Sequence, residues 1–283
     1  MMDASEWSGP VGDVWATEWQ RTDRSFAGLA PRLNAAAIAA VAGIDAPAIV
    51  DIGCGAGATS LALAAALPAA RICGIDISPG LTAIAATRAA DLPNLRFATG
   101  PVEALVGDQA PVDLFVSRHG VMFFADPIAA FAAIRGAAAP AGRLVFSCFR
   151  DAALNPWASE LLAAVLGGPQ PVPAGYAPGP FAFADPDFVT PLLEAAGWCD
   201  VRAISVDYNY CAGEGADPIA DALDLFSRIG PTARAIKAAD PAERGAMLDR
   251  MADVLHRHRS GDTVDFPAAA WLWSAQAAAG EAQ

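Results

Sequence analysis

The sequence predicts an α/β domain built on a mostly parallel sheet with helices on both faces. Three observations carry this reading. From residue 48 onward, short apolar runs alternate with helical patterns, the signature of consecutive β-α-β units. The first apolar run ends in Gly53, Gly55 and Gly57, a flexible turn between a strand and a helix. Several helix starts are marked by an aspartate followed by proline, as at Asp126-Pro127, Asp185-Pro186, Asp217-Pro218 and Asp240-Pro241.

The elements follow in order. Residues 1–45 read as helical, with Trp7, Trp15, Trp19, Phe26, Leu29 and Leu33 at near-helical spacing. Pro31 opens a second helix over 32–41, and Gly43 stops it. A buried strand at 48–52 leads into a helix over 58–67, ended by Pro68. A strand at 71–76, a helix at 79–90, and strands at 95–99 and 112–117 come next. A helix from Pro127 through 139 precedes a fifth strand at 143–149. The second half carries a short helix near 159–166, a loop over 167–179 that reads as a lid, and a helix from Pro186 to Gly197. A strongly alternating strand at 201–210 follows, then helices from Pro218 to about 229 and from Pro241 to about 258. Asp240 and Glu243 form a capping box for the latter, and a last strand lies within 264–276. The organisation expected is an N-terminal helical cap over 1–45 and one domain over 46–283. Inserts at about 151–184 and 211–262 build its substrate region.

Composition narrows the function. Lys+Arg is 18 against Asp+Glu 31, a formal net charge of −13, which disfavours nucleic-acid partners. Lys237 is the sole lysine, so no phosphate-binding loop with its lysine is present. The uncharged stretches at 52–70 and 161–184 are interrupted by glycine and proline, so no membrane partner is expected. The acidic opening Met1-Met2-Asp3-Ala4-Ser5-Glu6 does not resemble a secretion signal, which predicts a cytoplasmic location. Cys54, Cys73, Cys148, Cys199 and Cys211 form no CxxC pair, and the three histidines sit in no metal-binding spacing, so neither a disulfide framework nor a metal site is expected.

The chemistry lies in Val50-Asp51-Ile52-Gly53-Cys54-Gly55-Ala56-Gly57. Asp51 precedes the glycines at the strand end, where an anion suits a cationic ligand and opposes a pyrophosphate. Ala58 stands where the dinucleotide fingerprint places its last glycine. Asp76 ends the second strand and can accept hydrogen bonds from two ribose hydroxyls. Together these residues select a nucleoside with a positively charged tail.

Asp51-Ile52-Gly53-Cys54-Gly55-Ala56-Gly57, with Gly74-Ile75-Asp76-Ile77-Ser78 and Pro140-Ala141-Gly142-Arg143-Leu144-Val145-Phe146, resembles the motifs of class I S-adenosylmethionine-dependent methyltransferases, over roughly residues 48–150. The resemblance implies a Rossmann-like, seven-stranded sheet, S-adenosylmethionine as cofactor, and methyl transfer to oxygen, nitrogen or carbon of a small-molecule acceptor. It places Gly53, Cys54, Gly55 and Gly57 under the methionine part, Asp51 near the ammonium, Asp76 on the ribose, and Ile77 and Ser78 beside the adenosine. Val102 would offer its backbone N–H to the adenine. Pro101 stands where the family often has an acid, and Glu103 follows two residues later. Ser117, Arg118 and His119 would border the methyl group.

Several residues carry two readings. His119 is either a general base or a pocket-lining, loop-bonding histidine. Arg118 is either an ion-pair partner or an anchor for an acidic substrate. Trp15 and Trp19 either cover the ligand site or fill the core of an amphipathic helix. Arg24 either reaches the cofactor carboxylate or is a surface charge. Trp157, Tyr176 and Tyr208 are candidates to line the acceptor site or to pack in the interior. Two rival functions stand beside methyl transfer: a nicotinamide-dependent oxidoreductase, and a catalytically inactive cofactor-binding partner protein. The oligomeric state is left open, a homodimer among the options.

Overall fold

The computed structural model describes residues 4–170 and 175–278. Residues 171–174 of the expected lid fall outside the described residues, as do 1–3 and 279–283. Four helices open the chain: α1 (Ala4–Trp7), α2 (Pro10–Thr17), α3 (Trp19–Ser25) and α4 (Ala30–Ala40). Then come β1 (Ala48–Ile52), α5 (Ala58–Ala66), β2 (Arg71–Asp76), α6 (Pro79–Arg88), β3 (Leu95–Thr99), α7 (Val102–Leu105) and β4 (Val112–Arg118). The chain continues through α8 (Pro127–Gly136), β5 (Ala138–Phe149), α9 (Pro156–Leu166), α10 (Pro186–Ala195) and β6 (Trp198–Glu214). It closes with α11 (Pro218–Arg228), α12 (Gly230–Ala238), α13 (Pro241–Arg257), β7 (Arg259–Ser260) and β8 (Thr263–Ala277).

The sheet runs β3-β2-β1-β4-β5-β8-β6, a path of seven strands, with the two-residue β7 pairing β8 at its start. The first five strands are parallel, and β8 is antiparallel to both β5 and β6. The strand order reverses between β1 and β4, and in parallel sheets that switch point, at the carboxyl ends of the strands, is where ligands bind.

Local chemistry explains the helix starts. Asp126, Asp185, Asp217 and Asp240 each precede a proline at the first helical position and accept a hydrogen bond from a first-turn N–H, at 2.9–3.1 Å. Ser78 does the same for α6 through Leu81 N. Several elements depart from the sequence expectation: α7 and β7 were not expected, and β5 and β6 extend beyond the expected 143–149 and 201–210. Helix α8 stops at Gly136 instead of 139, because Ala138 already pairs with Val112 and an irregularity follows before Leu114 meets Arg143. Helix α12 was not expected at all; Pro231 sits in its first turn, where the missing N–H has no cost.

Apolar residues bury on both faces of the sheet. On one, Leu33 and Ala37 of α4 pack with Ile49, Leu63, Ile72, Leu114 and Val145. On the other, Phe115, Phe131, Phe146, Phe183, Trp198 and Trp273 form an aromatic interior, with Phe146 stacked on Trp273. Helix α4 therefore belongs to the helical layer of the sheet, while α2 and α3 lie over the strand ends. Asn155, fully buried, ties the start of α9 to β8. Its Oδ1 accepts from Ala269 N and Trp157 Nε1, and its Nδ2 donates to the carbonyls of Asp151 and Ala269.

Replacing Asn155 with alanine leaves several of these buried groups without partners, so chemical denaturation should show a loss of about 2–4 kcal/mol. An unchanged denaturation midpoint would remove Asn155 from this role.

Candidate active site

Asp51, the penultimate residue of β1, is 1% exposed. Ser60, one turn into α5, donates to its Oδ2 at 2.5 Å. Its Oδ1 is buried and has no hydrogen-bond partner. Burial raises the carboxyl to about 7, against the opposing pull of the Ser60 hydrogen bond and the Arg118 charge.

The turn beyond it is shaped by backbone demands. Gly53, Gly55 and Gly57 all have positive φ, at 62°, 55° and 85°. A side chain at Gly53 would come within 3.0 Å of the Gly120 Cα, so the β1 turn and the turn after β4 touch. Ser117 locks the same junction, donating to Ile52 O at 2.7 Å and accepting from Gly120 N at 3.2 Å. Ser117 is thus occupied in positioning His119 beside the β1 end. Cys54 is buried with its thiol pushed well above the usual range by burial, a packing residue.

Asp76, at the end of β2, accepts from Gly55 N and Ser78 N, both at 2.8 Å. These bonds face the carboxylate toward the glycine turn. Burial raises its affinity for a proton, against those backbone donors. Ile77 is half-buried beside it, and Ser78 is buried as the α6 cap, beneath Gly12 of α2. Pro101 caps the short α7; Val102 turns its side chain into the core, and Glu103 is exposed.

His119 takes the unusual φ of 60° and is buried. Its Nδ1 contacts Ser147 Oγ at 2.9 Å, while Nε2 is buried without a partner. Phe149 and Phe26 pack against the ring at centroid distances of 4.2 and 4.8 Å. Burial, reinforced by the neighbouring Arg118 charge, holds the imidazole neutral, well below its ordinary range. Tyr208, on β6, also has a buried hydroxyl without a partner, and burial keeps it a phenol. The Arg118 charge reaches Asp51, His119 and Tyr208 alike.

The N-terminal helices cover this cleft. Trp7 bridges to Trp15 at 5.8 Å and to Phe123, just past β4, at 5.0 Å. Arg88 of α6 lies over the Trp19 ring at 4.1 Å. Asp23 of α3 binds Arg88 at 3.0 Å and Arg118 at 2.7 Å, spanning the glycine turn. Arg24 points the other way, to Asp221 and the carbonyl of Ala212, away from the strand-end acids. A recess of about 330 Å³ lined by Glu18, Arg21, Asp224 and Arg228 opens between α3 and α11. Its charges already pair with one another, and it lies apart from the strand-end groups.

Of two further aromatic candidates, Trp157 packs on Phe149, one ring away from His119, and Tyr176 reaches the turn after β4. Trp157 is buried, stacked on Tyr210 at 4.8 Å and bonded to Asn155. Tyr176 donates to Phe124 O at 2.5 Å and stacks on Phe188. Sequence reasoning passed over Asp23, Phe26, Arg88 and Phe149. Asp23 sits among charges that read as a solvated helix face (Arg21-Thr22-Asp23-Arg24), and the phenylalanines read as core. Among the described residues, no helix is long and apolar enough to cross a membrane, and no cluster of histidine, cysteine and carboxylate side chains could hold a metal ion.

Residues 49–142 match the family model described as a methyltransferase domain. The chain is 33% identical over 99 residues to malonyl-[acyl-carrier protein] O-methyltransferase of Hahella chejuensis, covering 35% of each chain. It is 36% identical over 78 residues to trans-aconitate 2-methyltransferase of Deinococcus radiodurans, covering 28% of each. The matched span is thus about a third of the length of these curated relatives. Among solved structures, the YcgJ protein of Bacillus subtilis aligns with a TM-score of 0.55 at 17% identity, over 88% of this chain and 99% of that one, a likeness of fold.

The Asp51 position predicts a stability trade. The unfolded carboxyl ionises near its ordinary value of 3.8, the folded one near 7. The proton held in the folded state stabilises it at low pH, and that contribution is lost as pH rises from about 4 through 7. Asp51→Asn should therefore raise the thermal midpoint more at about pH 8 than at about pH 5, by the equivalent of roughly 1–2 kcal/mol. A midpoint lowered equally at both would show that the buried charge carries no such cost.

Proposed function

We propose that the chain transfers a methyl group from S-adenosylmethionine to a nucleophilic atom of a small-molecule acceptor, a reading supported by the match of residues 49–142 to a methyltransferase domain. The observation that carries the reading is the pair of buried, unpartnered atoms at the switch point, Asp51 Oδ1 and His119 Nε2. A buried acceptor without a donor is costly and is retained where a ligand supplies the partner. Asp51 fits an ammonium, Asp76 fits two ribose hydroxyls, and a side chain added at Gly55 would meet nothing within 4 Å. The residues present fit S-adenosylmethionine.

That cofactor, when bound, supplies a methyl on a sulfonium cation, a group reactive enough to need little activation. The chain's part is to bind, orient and take a proton. Asp51 and Asp76 hold the two charged or polar ends, with Gly53 and Gly55 allowing close backbone approach and Ile77 beside the base. Pro101 and Glu103 border the adenine end, where Val102 offers its backbone. Trp15 and Trp19 of the cap exclude water. The phenylalanines at 26 and 149 pack against a neutral His119, and in the tautomer that donates from Nδ1 to Ser147 Oγ the lone pair lies at Nε2, the nitrogen without a partner. A hydroxyl or amine becomes strongly acidic as it gains a methyl, so a weak, neutral base at that place is sufficient. Tyr208 offers a second polar contact for the acceptor.

Two experiments test this. Asp76→Ala should weaken binding of S-adenosylmethionine by calorimetry by about 1–3 kcal/mol, the scale of hydrogen bonds to a charged group. Affinity that stays level would remove Asp76 from the ribose, while binding of a nicotinamide dinucleotide and none of S-adenosylmethionine to the unaltered chain would overturn the reading in favour of an oxidoreductase. With a labelled methyl donor and a pool of small acids, phenols and amines, His119→Ala should lower kcat by about 100-fold with cofactor affinity retained. A change confined to KM would make His119 a binding residue.

A further inference from the structure

Arg118 is only 13% exposed and sits at the end of β4, and its charge acts on three groups that each hold a buried polar atom without a partner: Asp51 (Oδ1), His119 (Nε2) and Tyr208 (Oη). A guanidinium so placed needs an anion, because an unpaired buried charge is costly. The anion it has is Asp23, which comes from the cap and not from the sheet. Asp23 also holds Arg88, itself bonded to Ala56 O of the glycine turn at 2.6 Å. One carboxylate of α3 therefore grips both sides of the cleft directly over the turn that receives the ligand. Arg118 further lies over the Phe26 ring at 5.2 Å, which fixes its plane beside His119.

Resting on the methyltransferase reading above, we propose that Asp23 is an internal stand-in for a ligand carboxylate. On this account Arg118 exchanges Asp23 for the carboxylate of an incoming molecule, and that exchange couples release of the cap to occupancy of the site. Two molecules of the reaction can bring this group. The methionine part of the cofactor carries a carboxylate, and a small acidic acceptor carries one too. The shared chemistry is a planar anion meeting the flat guanidinium fork. Binding must displace an existing ion pair, so a carboxylate gains less than Arg118 alone would offer, and removal of Asp23 should free that difference.

The test is calorimetric. S-adenosylmethionine and its decarboxylated analogue are titrated into the unaltered chain, Arg118→Gln, Arg118→Lys and Asp23→Asn; malonate is titrated into the same proteins loaded with S-adenosylhomocysteine. If the cofactor is the source, Arg118→Gln weakens S-adenosylmethionine about 10-fold or more, and the decarboxylated analogue by no more than about 2-fold. If the acceptor is the source, the loss falls on malonate instead. Arg118→Lys keeps part of the affinity in either case. Asp23→Asn should tighten the carboxylate-bearing ligand several-fold while leaving the decarboxylated analogue unmoved. A purely structural clamp predicts the opposite, weaker binding of every ligand, and that result overturns the exchange. So does affinity that no Arg118 variant changes. Failure of the unaltered chain to bind S-adenosylmethionine would instead sink the functional reading, and this inference with it.

Discussion

Asp51 is a carboxyl that the fold buries and half satisfies, and the rest of the site is arranged around that unmet need. Ser60 takes one oxygen; the other faces the turn without a donor. The strand that carries it is central, flanked by β2 and β4 in parallel register, so its position is as rigid as the sheet. The touching glycines at 53 and 120, pinned by Ser117, then place His119 next to the same strand end. On the proposed reading, the buried Asp51 Oδ1 and His119 Nε2, both without partners, cost the free chain stability and favour a ligand that carries a cation and an acidic proton.

The cap is held by charge as well as by apolar contacts such as Trp7 on Phe123 and the buried Phe26. Asp23 grips Arg88 and Arg118 on the core side, while Arg21 and Arg24 of the same helix bind Asp221 on α11. Helix α3 is thus fastened on two sides by ion pairs; Arg118 and Arg24 are 13% and 14% exposed, while Arg21 and Arg88 are about a quarter exposed and more open to screening by salt. The strong acidity of the whole chain has no such local role; the acids that matter are three, at positions 23, 51 and 76.

Much of this was legible in the residues. Strands β1, β2 and β3 begin and end where the apolar runs do, because parallel central strands are buried on both sides and read as continuous apolar segments. Aspartate-proline pairs marked four helix starts through a capping chemistry that depends only on neighbouring atoms. The glycine turn and its two acids were readable for the same reason. What depends on distant packing was not. Phe26 and Phe149 enclose His119, yet as lone letters they are indistinguishable from core. Trp157 and Tyr176 are aromatic and lie in an insert, but that Trp157 would be buried against Tyr210 and Phe149 while Tyr176 stayed half-buried beside Phe188 depends on partners far away in the chain. Asp23 joins residues 65 and 95 positions away, and no local pattern announces such a bond.

The account stands or falls on Asp51 acting as the seat for a cation. The most direct measurement is the proton balance of S-adenosylmethionine binding, taken by calorimetry in buffers of different ionisation enthalpy at about pH 6.5. In the free chain much of Asp51 is protonated there, and an arriving ammonium should expel that proton. The account predicts release of roughly half a proton or more per ligand, abolished in Asp51→Asn. Tight binding with no proton released, or with the same release in the variant, would contradict it.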